Sequence, residues 1–249
     1  MSYNGGKGAS GVHQQIINKM PKHRVYIETH LGGGSILLKK KPAECTIAIE
    51  IDTAVIQNFM RYSIAKDADS RPIPGSTCKY DGGISFVNED CLKFLQNYNF
   101  KGDELIYLDP PYLFETRRDK KDLYKYEYDT NDHIELLEFI NGLDCFVMLS
   151  GYESKLYSEL LDPKKWHKFT FNAMTRAGVR TEALWCNFNP EDYIKHDYSY
   201  IGKNFRERER IKRKSNRWIN NLDKLPPDER NFILSKIAEN FRLEVGYHI

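Results

Sequence analysis

The residues from Leu105 to Tyr112 place an acid, two prolines and an aromatic ring directly after a short apolar run. Proline fixes φ at about −65° and lacks an N–H group, so the chain must leave a sheet at Pro110 and Pro111. The residue before each proline is also pushed towards extended geometry. The sequence therefore predicts a rigid segment at the carboxyl end of a strand, which we call the bracket (Asp109 to Tyr112). Ligands bind at that edge of open α/β sheets, and the bracket suits a flat, polar substrate such as a nucleobase.

A second candidate site follows the segment Val25–Glu28, which reads as a short buried strand ending in an acid. Gly32 and Gly34 then form a turn, and apolar spacing around Ile36 predicts a helix. Glycine lets the backbone approach a ligand closely, and Glu28 could meet an ammonium group. The turn has neither G-x-G-x-x-G nor G-K-[ST], which disfavours a dinucleotide cofactor and triphosphate hydrolysis.

The segment Thr46–Asp52 predicts another strand that ends in an acid. Asp52 lies about 20 residues past the glycine turn, where nucleotide-binding folds place a ribose-binding acid. Asp52 is also a suitable N-cap for the helix that the next residues predict, and the two roles are compatible.

Strands and helices alternate along the chain to residue 161 and then end in two strands joined as a hairpin. This order predicts an α/β, Rossmann-like fold: a mostly parallel, doubly wound sheet with a terminal antiparallel hairpin, plus a basic C-terminal helical extension. We expect residues 1–200 to form one domain, with a short recognition insertion near 66–85. Residues 201–249 form the extension.

Positive charge is collected in the extension. Lys203 to Arg217 holds eight lysines and arginines against two glutamates, a local charge of +6 within a chain whose total is +2. A second basic segment, Phe114–Asp129, mixes cations with tyrosines. Cations bind phosphates and rings stack on bases, which favours a nucleic-acid partner over a solvated charged surface. The candidate cations are Arg117, Arg118, Lys120, Lys121, Arg176, Arg180, Arg206, Arg210, Lys212, Arg213 and Lys214.

Composition excludes several classes of protein. The chain has no run of 18 apolar residues and no apolar signal-peptide core, so we expect a cytoplasmic protein and no membrane partner. The five cysteines are scattered and odd in number, which argues against a disulfide framework and a zinc site. We expect no metal. The oligomeric state is not specified by the sequence, and a monomer is favoured.

In this order the motifs resemble those of the Dam-type DNA adenine-N6 methyltransferases, in the arrangement that begins with a Gly-Gly-Lys motif. The resemblance spans about residues 3–190. Its five motifs are Tyr3 to Lys7 (W-A-G-G-K in the family), Tyr26 to Ser35 (E-P-F-x-G-G-G), Glu50 to Asp52 (the second strand acid), Asn88 to Asp90 (N-x-D) and Asp109 to Tyr112 (D-P-P-Y).

The resemblance implies S-adenosylmethionine as methyl donor and double-stranded DNA as substrate, with the target base flipped out of the duplex. Within the implied cofactor site, Glu28 holds the amino group and Asp90 lies near the adenine. The implied cofactor-binding residues are Tyr3, Gly6, Lys7, Glu28, Gly32, Gly34, Asp52, Asp90 and Asp109. The implied catalytic residues are Asp109, Pro110, Pro111 and Tyr112.

The chain departs from the family at Tyr3, Thr29 and His30, which stand where the family has Trp, Pro and Phe. The span from Asp52 to Asn88 is also too short for the target-recognition region of larger members. Alternative readings are a cytosine-N4 or RNA adenine methyltransferase on the same scaffold, or a non-catalytic DNA-binding relative. Asp before Pro-Pro-Tyr favours adenine.

Overall fold

The computed structural model describes residues 7–8, 11–66, 83–117, 124–175 and 178–241. Most of the expected recognition insertion near 66–85 lies outside these residues. Six predicted site residues also lie outside them: Tyr3, Gly6, Arg118, Lys120, Lys121 and Arg176.

The core of the protein is a seven-stranded sheet with the order β3-β2-β1-β4-β5-β7-β6. Strands β1 to β5 pair in parallel, whereas β7 is antiparallel to both β5 and β6. This arrangement confirms the predicted mostly parallel sheet with a terminal hairpin. The strands are β1 Val25–Glu28, β2 Cys45–Ile49, β3 Ile84–Val87, β4 Glu104–Leu108, β5 Phe146–Gly151, β6 His167–Thr175 and β7 Gly178–Cys186.

Helices cover both faces of the sheet, as a doubly wound fold requires. Alternate strand residues point to opposite faces. Ile27 and Ile106 therefore belong to one buried cluster, whereas Tyr26 and Tyr107 belong to the other. The helices are α1 Val12–Ile17, α2 Thr53–Lys66, α3 Cys91–Asn97, α4 Thr130–Asn141, α5 Lys155–Leu160, α6 Phe205–Asp223 and α7 Pro227–Phe241.

Three local expectations were wrong. The glycine turn leads into further turns over residues 35–39, not a regular helix, and Pro42 disfavours helical geometry at Lys41, where the segment ends. The final hairpin is longer than the strands over 167–172 and 182–188 that the sequence predicts: Ala173 pairs with Arg180, and Thr175 pairs with Gly178, whose positive φ of 108° suits glycine. The cysteines were expected to form no disulfide framework, but Cys45 is disulfide-bonded. Cys91, Cys145 and Cys186 are buried free thiols.

Helices α6 and α7 differ from the rest of the chain because none of their residues is buried. Large apolar side chains such as Trp218 and Phe232 are more than half exposed. The body of the fold therefore gains little burial from these helices. Among the helices of the described residues, none combines the length and apolarity needed to cross a membrane.

This exposure predicts that residues 201–249 are dispensable for folding. Because the extension buries little surface, we expect a chain truncated after Tyr200 to melt within a few degrees of the full-length protein. In a chain of this size, a change of about 1 kcal/mol in the free energy of unfolding shifts the melting temperature by roughly 2–4 °C. Circular dichroism melting would measure this. A loss of cooperative unfolding would instead show that the extension belongs to the core domain.

Candidate active site

A cavity of about 420 Å³ opens at the carboxyl edge of the parallel strands, next to β1 and β4. The strand order reverses between these two strands, and such switch points are where open α/β sheets bind ligands. Of the predicted cofactor-binding residues, every one that the structure describes lines the cavity: Lys7, Glu28, Gly32, Gly34, Asp52, Asp90 and Asp109. The bracket also contributes Pro111. Motifs separated by many residues in the sequence thus meet in one place.

The cavity is strongly acidic. Nine carboxylates line it against two lysines, Lys7 and Lys125. The acids come from the ends of several strands, from residues 124–128 and from α4 itself. Such a lining attracts a positively charged ligand and repels phosphate.

Lys7 is the buried cation of the site. Its ammonium group donates to Asp109 Oδ1 at 2.7 Å and to the Tyr112 hydroxyl, and it lies 3.6 Å from Glu182 Oε2. Burial alone would lower the pKa of Lys7, but the carboxylates of Asp109 and Glu182 outweigh burial and raise it above its usual value. The group therefore stays charged and ties the bracket to β7.

Tyr112, the last residue of the bracket, is packed into the protein. Its ring is 8% exposed and meets Tyr152 edge-on, with 4.5 Å between centroids. Its hydroxyl lies 3.4 Å from Glu182 Oε2. Below it, Arg117 donates from Nε to the Tyr112 carbonyl oxygen at 2.8 Å. Side chains from several parts of the chain therefore hold the bracket in one conformation.

Glu28 ends β1 and is buried beside the bracket. The Tyr26 hydroxyl donates to its carboxylate at 2.8 Å. Burial raises the pKa of Glu28 to about 8, and the nearby Asp109 carboxylate acts in the same direction. A carboxyl with so high a pKa is poised to ionise when a cation arrives.

Glu50 lines the cavity although it is not among the predicted cofactor-binding residues, which include its neighbour Asp52. Glu50 directly follows β2, is 8% exposed and accepts the Gly32 N–H at 3.0 Å and the Asp52 N–H at 3.1 Å. It thus fixes the glycine turn, and burial raises its pKa. Asp52 accepts the Ala54 N–H as the cap of α2. The signal was available, because Glu50 is the residue at which the apolar strand ends.

The glycine turn is closely packed. Gly34 has a φ of 58°, and a Cβ atom there would lie 2.1 Å from the Phe59 ring. Only glycine fits that position without displacing the helix that carries Phe59. Close packing explains why this part of the turn has no side chain.

The N-x-D motif joins β2 to β3. Asn88 donates to the carbonyl oxygens of Glu50 at 2.8 Å and Ile51 at 2.9 Å, which ties the two strand ends together. Asp90 accepts the Lys93 N–H and caps α3 while lining the cavity. Both residues therefore have structural partners, and a role for Asp90 beside a ligand stays a prediction.

The wall of the cavity opposite the strands is formed by residues 124–128. Tyr128 contacts His30 and the Cys91 thiol through its hydroxyl, at 3.2 Å and 3.1 Å. Lys125 lies 3.3 Å from Asp52 Oδ2. Burial lowers the pKa of His30 to about 3, so the ring is neutral. His30, which replaces a family Phe, thus serves as a hydrogen-bonding wall residue.

The predicted nucleic-acid cations occupy different settings. Arg117 is buried and paired with Glu127, which gives it a structural position rather than one open to phosphate. Arg180 lies in β7, with its guanidinium 4.2 Å from the Tyr152 ring centre and donating to the Thr116 carbonyl. Among the predicted cations that the structure describes, the exposed ones are the five on α6: Arg206, Arg210, Lys212, Arg213 and Lys214. Within the described residues, no group of three or more potential metal ligands occurs.

A family model described as D12 class N6 adenine-specific DNA methyltransferase matches residues 80–175. The matched range contains the motifs at Asn88–Asp90 and Asp109–Tyr112. This match confirms the predicted resemblance to adenine-N6 DNA methyltransferases. Among curated proteins, no sequence matches the chain.

Solved structures with a similar arrangement include TrmK of M. capricolum in complex with S-adenosyl-homocysteine, an rRNA methylase of Streptococcus thermophilus and a dimethyladenosine transferase of Plasmodium falciparum. Their identities to this chain are 10%, 9% and 13%, with TM-scores of 0.45, 0.45 and 0.41. The alignments cover 95%, 70% and 70% of this chain and 99%, 93% and 59% of those chains. At these values we infer neither activity nor ligand from them.

The buried Glu28 predicts a pH-dependent stability difference. A carboxyl whose pKa rises from 4.5 to about 8 on folding stabilises the protein below pH 4.5 and loses that contribution as the pH rises through 8. Glu28→Gln cannot ionise and so avoids this loss of stability at high pH. We expect the variant to melt several degrees above wild type at pH 9, and the difference in melting temperature to be smaller at pH 5. The matched control is Glu44→Gln, because Glu44 is half exposed. An equal difference at both pH values would contradict the assignment.

Proposed function

We propose that the chain is an S-adenosylmethionine-dependent methyltransferase that methylates N6 of adenine in double-stranded DNA. The observation that carries the proposal is the meeting of the Asp109 bracket and the Glu28 glycine turn in one acidic cavity. The family match over residues 80–175 supports the methyltransferase class and points to adenine in DNA.

The residues of the cavity fit this cofactor. S-adenosylmethionine carries a sulfonium, an ammonium and one carboxylate, so its net charge is positive. Nine carboxylates against two lysines favour such a ligand over a phosphate-bearing one. The volume of about 420 Å³ also lies within the range of small-molecule sites. When bound, the cofactor supplies a methyl group made electrophilic by the positive sulfur.

Each part of the cavity has a distinct role in this proposal. Glu28 receives the ammonium group, and the positive charge shifts its carboxyl to the ionised form. The turn at Gly32–Gly34 offers backbone surface for close approach. Glu50 and Asp52 provide acceptors for the ribose, with Glu50 added because it lies at the end of β2. Asp90 lies on the adenine side.

The bracket acts on the substrate. An adenine amino group is a poor nucleophile because its lone pair is delocalised into the ring. Acceptance of its two hydrogens by the Asp109 carboxylate and the Pro110 carbonyl favours a tetrahedral nitrogen with its lone pair directed at the methyl group. Asp109 need not be a strong base, because the proton on the adenine amine becomes acidic only after the methyl group has been transferred to the nitrogen.

Lys7 determines which Asp109 oxygen is used. The ammonium already donates to Oδ1 at 2.7 Å, which leaves Oδ2 as the acceptor for the substrate amine. The Asp109 side chain is 18% exposed, so it can be reached from the cavity. Lys7 thus orients a catalytic carboxylate in addition to its implied contact with the cofactor.

Tyr112 is proposed to stack on the flipped base. In this structure the ring contacts Tyr152 edge-on. The bracket would serve an exocyclic amine of cytosine as well as of adenine, so adenine in DNA rests on the family match. Retention of Lys7, Glu28 and Asp109 in one cavity disfavours a non-catalytic relative.

The central test is the loss of the acceptor. We expect Asp109→Ala to abolish methyl transfer while binding DNA with wild-type affinity, because Asp109 lies in the cavity and not on α6. Mass analysis of nucleosides from DNA and from RNA incubated with S-adenosylmethionine would measure activity and identify the methylated base. Glu115→Gln, an exposed change nearby, is the control. Near wild-type turnover in Asp109→Ala would refute the assignment, and methylcytosine or RNA products would correct the substrate.

The basic face of α6 predicts a strong salt dependence of DNA binding. Arg206, Arg210, Arg213 and Arg217 recur at spacings of four and three residues and share one helix face. Their combined replacement by Gln should lower the magnitude of the slope of log K against log salt by about 3–4, since each phosphate contact contributes about 0.9. The matched control is the combined replacement by Gln of four exposed lysines outside α6, Lys101, Lys155, Lys164 and Lys165, which should leave the slope unchanged. Equal slopes for wild type and the fourfold variant would count against α6 as the DNA contact.

A further inference from the structure

The antiparallel strand β7 brings polar side chains to the bracket. Its pairing with β5 ends at Gly151 opposite Ala183. The residues before Ala183 therefore lie beyond the carboxyl end of β5, on the edge of the sheet where Asp109 follows β4. Arg180 and Glu182 are two positions apart, so both side chains lie on the same side of β7.

Glu182 is the buried member of this pair, at 6% exposure. Its Oε2 lies 3.6 Å from Lys7 Nζ and 3.4 Å from the Tyr112 hydroxyl. Lys7 is at the same time 2.7 Å from Asp109 Oδ1. One ammonium is thus shared by two carboxylates, one of which belongs to the bracket.

Hydrophobic packing gives no reason for a carboxylate at this position. A buried charge is costly unless it is paired, and Glu182 also experiences the negative charge of Asp109. An apolar residue of the same size would avoid that cost. The contacts of Glu182 are directed at Lys7 and Tyr112, the two groups that hold the bracket.

We propose that Glu182 is a positioning residue that draws the Lys7 ammonium partly away from Asp109 and anchors the Tyr112 hydroxyl. With Glu182 ionised, Lys7 is held between two carboxylates and Asp109 keeps the acceptor strength that the substrate amine requires. With its charge removed, Lys7 loses one of its two carboxylate neighbours and interacts more strongly with Asp109, which weakens Asp109 as an acceptor. This inference rests on the proposed function for its kinetic consequence, whereas the Lys7 contact can be tested without activity.

The experiment compares Glu182→Gln with wild type in the full-length chain. The amide keeps the shape and can still accept from Tyr112, but it carries no charge. We expect kcat for nucleic-acid methylation to fall about tenfold, which is the change in rate expected when one charge-assisted interaction in the transition state is weakened. The Kd for S-adenosylmethionine, measured by calorimetry, should stay within twofold. Glu182→Asp should restore part of the rate.

The activity-independent measurement is heteronuclear NMR of the lysine side-chain ammonium groups. The Lys7 signal, identified by its loss in Lys7→Arg, should shift in Glu182→Gln while the other lysine signals stay in place. The matched control is Thr181→Ala, since Thr181 lies on the opposite side of β7 and is exposed. It should change neither the Lys7 signal nor kcat.

The outcomes separate the two proposals. If wild type methylates neither DNA nor RNA, the proposed function fails, and the Lys7 signal still decides whether Glu182 holds the ammonium. If wild type is active and Glu182→Gln retains full kcat with an unchanged Lys7 signal, the positioning role is overturned. Equal losses in kcat and cofactor affinity would reduce Glu182 to general support of the fold. Should Glu182→Gln not fold, the same two measurements on Glu182→Asp decide.

Discussion

The site depends on one ammonium group placed among carboxylates that would otherwise repel each other. Lys7 reaches Asp109 after β4 and Glu182 on β7, and it lies against the Tyr112 ring at 4.9 Å from the centroid. Without that cation, the buried Glu182 and the partly exposed Asp109 would repel each other. The contact between the bracket and β7, the orientation of Tyr112 and the orientation of the Asp109 carboxylate all depend on its position.

The surrounding acids show what this design costs the fold. Burial raises the pKa values of Glu28, Glu50 and Glu182, so each ionised carboxylate is held at some expense of stability. Shifted acids of this kind cluster where a protein must bind or react rather than where it must only fold. A cationic ligand would reduce the repulsion between these neighbouring carboxylates, so ligand binding and protein stability are coupled.

Much of the fold could be predicted from the sequence because its signals are local. Apolar runs ending at Glu28 and at Asp109 mark strand ends, and their alternation with helices indicates a parallel sheet. The bracket is local too, since two prolines determine its stiffness. Contacts that depend on strand register could not be predicted. Glu182 reads as an ordinary strand residue until the antiparallel pairing of β7 places it beside Lys7, and Arg117 reads as a DNA contact until Glu127 is found next to it.

The sequence separation of the central contacts bears on how the protein folds. Lys7 and Asp109 are 102 residues apart, and Glu182 comes still later in the chain. Contacts over such distances form late, because the entropy of closing long loops must be offset first by local structure. Lys7 lies outside the strands, so β1 to β5 can pair before the cation is in place. The site would be the last part of the molecule to become ordered and the first to open in local fluctuations, so hydrogen exchange should be faster around the bracket than in the strands that carry it.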